Sequence, residues 1–265
     1  MRDGRCHDRP MLHEDRSRAE SFGQDAAAYH AERPSYPPAL VDALVDPPVR
    51  DVLDVGCGTG IASALLTARG ARVLGVEPDP RMAAVAREGG LEVEVAAFET
   101  WDAAGRTFDL VMSAQAWHWV DAAAGSARAA EVLRPGGRIG LFWNFGRPTD
   151  AIRDALGAAY AAAGESDLER HSVLLGNADD RLTGTAAALD TTGAFGRVAV
   201  RAFPWVREYG RDAWIRQLFT HSDHAALPAD RRAALSAAVA EAVDGLGGTV
   251  ALDYDARLVT AVRRG

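Results

Sequence analysis

From Asp51 to Asn144 the chain alternates short apolar runs with longer segments whose apolar residues recur every three or four positions. The runs Asp51–Gly56, Ala71–Glu77, Leu91–Ala96, Phe108–Ala114 and Arg138–Asn144 read as strands, and Ile61–Gly70, Asp79–Glu88 and Ala122–Leu133 as helices. Most of these strands are apolar on both faces, and the helices between them supply the crossovers that parallel pairing needs. Upstream, a helical pattern starts at Ser21, with Phe22, Ala26 and Tyr29 on one face. It stops at Arg33-Pro34, because the residue before a proline is pushed out of the helical region. A second short helix runs from Pro38 to about Val45.

Downstream, Thr149–Gly164 reads as an alanine-rich helix, while Glu165–Ala194 gives mainly turn signals. Val198–Tyr209 reads as a strand, Arg211–Thr220 and Arg231–Gly245 as helices, and Thr249–Arg263 as a final strand or hairpin arm. No internal repeat is visible. The pattern predicts one α/β domain over 21–265 with a doubly wound, mostly parallel sheet. Within it, 21–48 forms N-terminal helices, 49–146 the core, 147–196 an inserted lid, and 197–265 the closing strands and helices. Residues 1–20 are almost all polar and read as a disordered arm.

Composition narrows the function classes. With 48% hydrophobic and 25% charged residues over 265 positions, the chain is an ordinary globular one, long enough to fold without disulfides or a metal. Its two cysteines, Cys6 in the polar arm and Cys57 in a glycine loop, form no framework and suit a reducing compartment. A net charge of −8 argues against nucleic acid as partner, and all 29 basic residues are arginine. There is no apolar run of about 18 residues and no signal-peptide pattern in Met1–Glu20, so a cytoplasmic protein without a membrane partner is expected.

The most informative stretch is Asp54-Val55-Gly56-Cys57-Gly58-Thr59-Gly60, where a strand ends in glycines and opens a helix. Such a loop brings backbone close to a ligand at the carboxyl edge of a sheet. A phosphate-cradling loop needs a lysine, and this chain has none. The dinucleotide pattern of an oxidoreductase needs glycine at position 61, where Ile61 stands. Asp54 would repel a pyrophosphate but suits an ammonium group, and Glu77, at the end of the next strand, suits ribose hydroxyls. Ribose joined to an amino acid, without phosphate, describes S-adenosylmethionine.

The motifs DVLDVGCGTG, GVEPDPRM, FDLVMSAQAWHWVD and LRPGGRIGLFWN, with the upstream AAAYHAERPSYP, resemble the class I S-adenosylmethionine-dependent methyltransferases, in particular the type 11 group. The resemblance covers Tyr29 to Asn144 and is weaker beyond. It implies a Rossmann-like sheet of seven strands with the last antiparallel. It also implies that Asp54, Gly56, Cys57, Gly58 and Gly60 line the methionine side of the cofactor, and that Glu77 holds the ribose. Met82 and Pro78 would lie near the adenine, and Ala114 and Gln115 near the methyl-bearing end. Ala97 stands where the family usually has an aspartate for the adenine amino group, leaving Phe98 to offer backbone and ring. Tyr29 and Arg33 would close over the cofactor.

Methyl transfer needs the nucleophile held in line and, for a phenol or alcohol, a base. His118, between Trp117 and Trp119, is the candidate, though a histidine filling an aromatic cap is the plainer role. Trp117, Trp119, Trp143, Asn144, Trp205, Trp214 and His221 are candidates for the wall of an acceptor pocket. His221 and His224 have ligand-like spacing, but no further cysteine or histidine cluster accompanies them, so no metal is expected. The expected activity is methylation of a small aromatic or hydrophobic metabolite by a monomer or homodimer, with S-adenosylhomocysteine as product. The alternative is a protein of the same fold that binds the cofactor without transferring methyl.

Overall fold

A computed structural model describes Gly23, residues 25–171 and residues 178–265. The expected arm over 1–20, Phe22, and residues 172–177 of the expected lid lie outside the described residues.

Seven strands form one sheet: β1 (Asp51–Val55), β2 (Arg72–Glu77), β3 (Glu92–Val95), β4 (Phe108–Ala114), β5 (Leu133–Arg147), β6 (Ala199–Gly210) and β7 (Thr249–Val262). Their order is β3-β2-β1-β4-β5-β7-β6, parallel except for β7, which runs antiparallel to both neighbours. The order reverses between β1 and β4, and ligands of open α/β sheets bind at the carboxyl ends of strands at such a point. Asp54 pairs with Gly75 of β2 and Met112 of β4, which sets it at this reversal.

The helices are placed by local chemistry. In α1 (Ala26–Glu32) Asp25 caps the first turn by accepting from the Ala28 N–H, and the helix ends at Arg33, before Pro34. α2 (Pro38–Leu44) carries proline at its first position. α3 (Ile61–Thr67) springs from the glycine loop, and α4 (Pro80–Glu88) is capped by Asp79. α5 (Ala122–Val132) is capped by Asp121. β5 begins at Leu133 rather than at the expected Arg138, because the Arg-Pro-Gly-Gly turn is absorbed as an irregularity in its pairing with β4.

Layers cover both faces. Leu40, Leu66, Phe142 and Phe203 belong to one apolar cluster, beneath α2 and α3. It continues into a second, where α6 (Asp150–Ala162), α9 (Arg211–Leu218) and, after the short α10 (Ser222–Ala225), α11 (Ala229–Gly245) pack on the ends of β6 and β7. α11 contributes Leu235, Val239 and Val243, four apart on one stripe. The other face buries Val55, Val111, Leu141 and Trp143 under α5 and α8 (Ala178–Thr191). The segment expected as one inserted lid therefore divides: α6 joins the first layer and α8 the second, with α7 (Ser166–His171) following α6. Among the described residues no helix is long and apolar enough to cross a membrane.

Candidate active site

At the carboxyl edge β1 delivers Asp54, which is completely buried. Ser63, in the first turn of α3, donates to its Oδ2 at 2.6 Å, while Oδ1 is buried without a hydrogen-bond partner. Burial, with a smaller push from Glu77, raises the Asp54 carboxyl to about 7, against the pull of the Ser63 hydroxyl. A buried, unsatisfied carboxylate oxygen is costly, and a cationic ligand group would relieve it. The adjoining loop takes positive φ at Gly56, Gly58 and Gly60. A Cβ on Gly56 would lie 2.6 Å from the Ala116 Cβ, so glycine is needed both for the turn and for the close approach of the next loop.

Glu77, 7% exposed, closes β2. The Gly58 N–H donates to its Oε2 at 2.8 Å and the Asp79 N–H to its Oε1 at 3.0 Å, which fixes the carboxylate against the loop. Burial nevertheless pushes it up to about 7. Each oxygen keeps further accepting capacity, as a ribose diol requires. Met82 is buried with its methyl beside Gly58, and Pro78 is exposed on the rim. Cys57 departs from expectation: its side chain packs behind the loop against Gly75 and Ala86, and burial pushes its thiol up. Its N–H is spent on the Val76 carbonyl, so what it adds to the loop is the turn itself.

Phe98 is also buried, stacked on Trp101 and tilted against Trp117, so its ring belongs to the core and only the Ala97–Phe98 backbone remains for a ligand. Beyond β4, Ala114 is followed by Gln115, whose φ of 56° is left-handed and rare for a residue with a Cβ. Two bonds hold it there: its N–H donates to Phe142 at 2.9 Å, and its side-chain amide donates to the Asn144 carbonyl at 3.0 Å. A strained residue held at the reversal of the sheet marks a site.

The aromatic candidates separate. Trp117, Trp143 and Trp214 are buried in the apolar clusters, so they pack the fold rather than wall an open pocket. Trp143 still reaches the site through its indole N–H, which faces His118 Nδ1 at 3.4 Å. An indole can only donate, so Nδ1 is the accepting nitrogen and a neutral His118 carries its proton on Nε2. His118 and Trp119 lie side by side, both half-buried. Trp205 is half-buried, stacked on Tyr254, and donates to Asn144 Oδ1 at 3.1 Å. Asn144 in turn donates to the Ser35 carbonyl at 2.9 Å, so its side chain ties protein segments together.

α1 lies across the opening, packed on α4 and α9. His30 Nδ1 is 3.0 Å from Thr59 Oγ1 in the glycine loop, a tie absent from the sequence reading because the motifs that hold the two residues say nothing of how they pair across 29 positions. Arg33 stacks over Tyr29 and donates to the Thr220 carbonyl at 3.2 Å. His221 Nε2 lies 3.1 Å from the Gln217 amide nitrogen, and burial holds the imidazole well below its ordinary value. His224 faces Tyr160 instead, at 2.6 Å. Among the described residues no group of three potential ligands could hold a metal ion. At the opposite edge of the sheet, a depression beside Val52 is lined by the ion-paired Asp51, Arg72 and Arg134, which satisfy one another.

Residues 52–137 match the family model described as a methyltransferase domain. An uncharacterized methyltransferase of Mycobacterium tuberculosis strain H37Rv is 41% identical over 152 residues, covering 51% of this chain and 62% of that relative. The chain thus spans less than two thirds of the length of the mycobacterial relatives that it matches. A ubiquinone biosynthesis O-methyltransferase of Methylobacterium sp. strain 4-46 is 34% identical over 124 residues, covering 44% of this chain and 47% of its own. In fold, a solved protein of Anaeromyxobacter dehalogenans is similar with a TM-score of 0.65 at 24% identity, over 87% of this chain and 97% of that one. The Haemonchus contortus phosphoethanolamine N-methyltransferase 2, solved with S-adenosyl-L-methionine, aligns with a TM-score of 0.53 at 15% identity, over 96% of this chain and 60% of that one.

Proposed function

We propose that the chain, whose residues 52–137 match a methyltransferase domain, is a class I S-adenosylmethionine-dependent methyltransferase of the type 11 group that methylates a small aromatic or hydrophobic metabolite. The observation that carries the cofactor half of this reading is the unpartnered, buried Oδ1 of Asp54 beside a glycine loop that has no room for a side chain at Gly56. Asp54 would take the ammonium group of the methionine moiety, Glu77 the ribose hydroxyls, and Met82 would pack on the adenine. When bound, the cofactor supplies an electrophilic methyl on a sulfonium, so the protein has only to align the nucleophile and exclude water. Gln115, held in its left-handed conformation, supports the acceptor side of the junction, and Trp205 offers it a flat apolar wall.

His118 is the residue proposed to meet the acceptor. With Nδ1 turned to the Trp143 indole, its Nε2–H can donate to an acceptor oxygen, and base catalysis through Nε2 would require the opposite tautomer to face an indole donor. The acidic balance of the chain supports a small-molecule acceptor over nucleic acid, and the sparse cysteines support a cytoplasmic setting. The test is a calorimetric titration with S-adenosylmethionine and S-adenosylhomocysteine, followed by turnover with any acceptor found. Micromolar binding that disappears in Glu77→Ala is expected, with at least a tenfold loss of turnover in His118→Ala at saturating acceptor. A folded protein that binds neither compound would overturn the cofactor reading; full turnover in His118→Ala would remove that residue from the chemistry.

A further inference from the structure

β6 and β7 sort their charges by face. On β6, Phe203, Trp205, Arg207 and Tyr209 share one face, and opposite the last three stand Tyr254, Leu252 and Val250 of β7. Asp253 and Asp255 stand opposite Val206 and Pro204 and so belong to the other face, where Asp255 pairs with Arg147 and Arg257. The face toward α1 and α9 therefore carries an arginine among aromatic rings and no carboxylate from either strand.

Arg207 is held rather than loose. Its guanidinium lies 4.5 Å from the Tyr209 ring centroid and donates one N–H to the Arg33 carbonyl at 3.0 Å. Among the described residues it forms no ion pair, and a guanidinium has four further N–H donors to offer. Arg33, stacked on Tyr29, is the second cation of the same corner: both guanidinium charges favour the phenolates of Tyr209 and Tyr254, against the burial that pushes those phenols up. The two phenols touch, Oη to Oη at 2.8 Å, so both cations face one place. One two-residue step down β6, roughly 6.6 Å away, lies Trp205, with its ring stacked on Tyr254 and its N–H fixed by Asn144. Asn144 is joined in turn to Gln115, at the end where the methyl group would arrive. An aromatic wall with a preorganised arginine about one ring-length beyond it fits a flat ligand that carries a carboxylate at its far end.

Resting on the methyltransferase reading for the role of the site, we propose that the acceptor is an aromatic carboxylic acid, with its ring against Trp205 and its carboxylate on Arg207. The probes are 4-hydroxybenzoate, 4-hydroxycinnamate and indole-3-acetate, each paired with its carboxamide. They are titrated calorimetrically into the full chain with and without S-adenosylhomocysteine, in wild type, Arg207→Met and Arg207→Lys, each checked by thermal melt. At least one acid is expected to bind tenfold or more tightly than its amide. That preference should fall to within about twofold in Arg207→Met and return in part in Arg207→Lys. Acids and amides that bind alike, a preference that survives Arg207→Met, or no binding of any probe would overturn the assignment. The heat of S-adenosylhomocysteine binding is read separately: its presence without acid preference removes this proposal alone, and its absence removes the cofactor reading whatever the probes do.

Discussion

Burial raises both Asp54 and Glu77 to about 7, from 3.8 and 4.5, with Glu77 adding a smaller push on Asp54. A carboxyl whose folded value exceeds its unfolded one contributes stability when protonated. That contribution is complete below about 4 and is lost as pH rises toward 7. The buried His224, lowered to about 4 by desolvation, works the other way, adding stability as pH rises from 4 to about 6.5. The two trends oppose each other in wild type, so Asp54 is isolated by comparing wild type with Asp54→Asn. The ligand-free variant should melt several degrees higher than wild type at pH 8, and the gap should narrow as pH falls and close only below about pH 4. S-adenosylmethionine affinity should rise with pH to a plateau above 7 in wild type and fall at least tenfold in the variant. Equal melting at both pH values would show that the buried charge is relieved in some other way. These two acids were legible because their spacing from the glycines is itself chemical. The tryptophans were not: Trp143 and Asn144 are neighbours on β5 that face opposite layers, and alternation alone does not say which layer holds the cleft.

At the level of elements, the alternation of apolar runs located all five strands of the core, because a strand buried on both faces has few other ways to be written. α8 was not legible. Its sequence, ADDRLTGTAAALDT, holds three threonines and a glycine, all weak helix formers, and packing of Leu182 and Leu189 against the sheet decides its conformation. The β1–loop–α3 unit makes the sharper prediction. Gly56→Ala adds a methyl at φ 66°, 2.6 Å from Ala116, where neither the loop nor the next turn has slack. Strain of about 1–3 kcal/mol is expected. The sheet, held by its strand pairing, should keep its far-ultraviolet circular dichroism while S-adenosylhomocysteine affinity drops tenfold or more. Unchanged affinity would show that the loop backbone does not touch the ligand.

Across the whole molecule, the site is closed by segments far apart in the chain. α1 reaches the glycine loop through His30 and Thr59, α9 through the ion pair of Glu32 with Arg216, and the turn after α9 through Arg33 and Thr220. Sequence could name Tyr29 and Arg33 by resemblance, but not the ties His30–Thr59 and Arg33–Thr220, because pairs separated by 29 and 187 residues leave no local signature. The Glu32–Arg216 ion pair is exposed and the His30–Thr59 contact is a single half-buried hydrogen bond, so each adds little to global stability, about 1 kcal/mol or less. Their effect should therefore appear in the lifetime of a bound ligand rather than in the melting temperature. A double variant, His30→Ala with Arg216→Ala, keeps the core, the loop and both acids. It should melt within about 2 °C of wild type. In stopped-flow displacement its S-adenosylhomocysteine dissociation rate should rise several-fold, with the association rate nearly unchanged, since a helix that closes after binding slows escape more than arrival. If both rates match wild type, α1 is a fixed wall and the ligand leaves by another route. If association accelerates as much as dissociation, α1 obstructs both directions equally and does not act as a clasp.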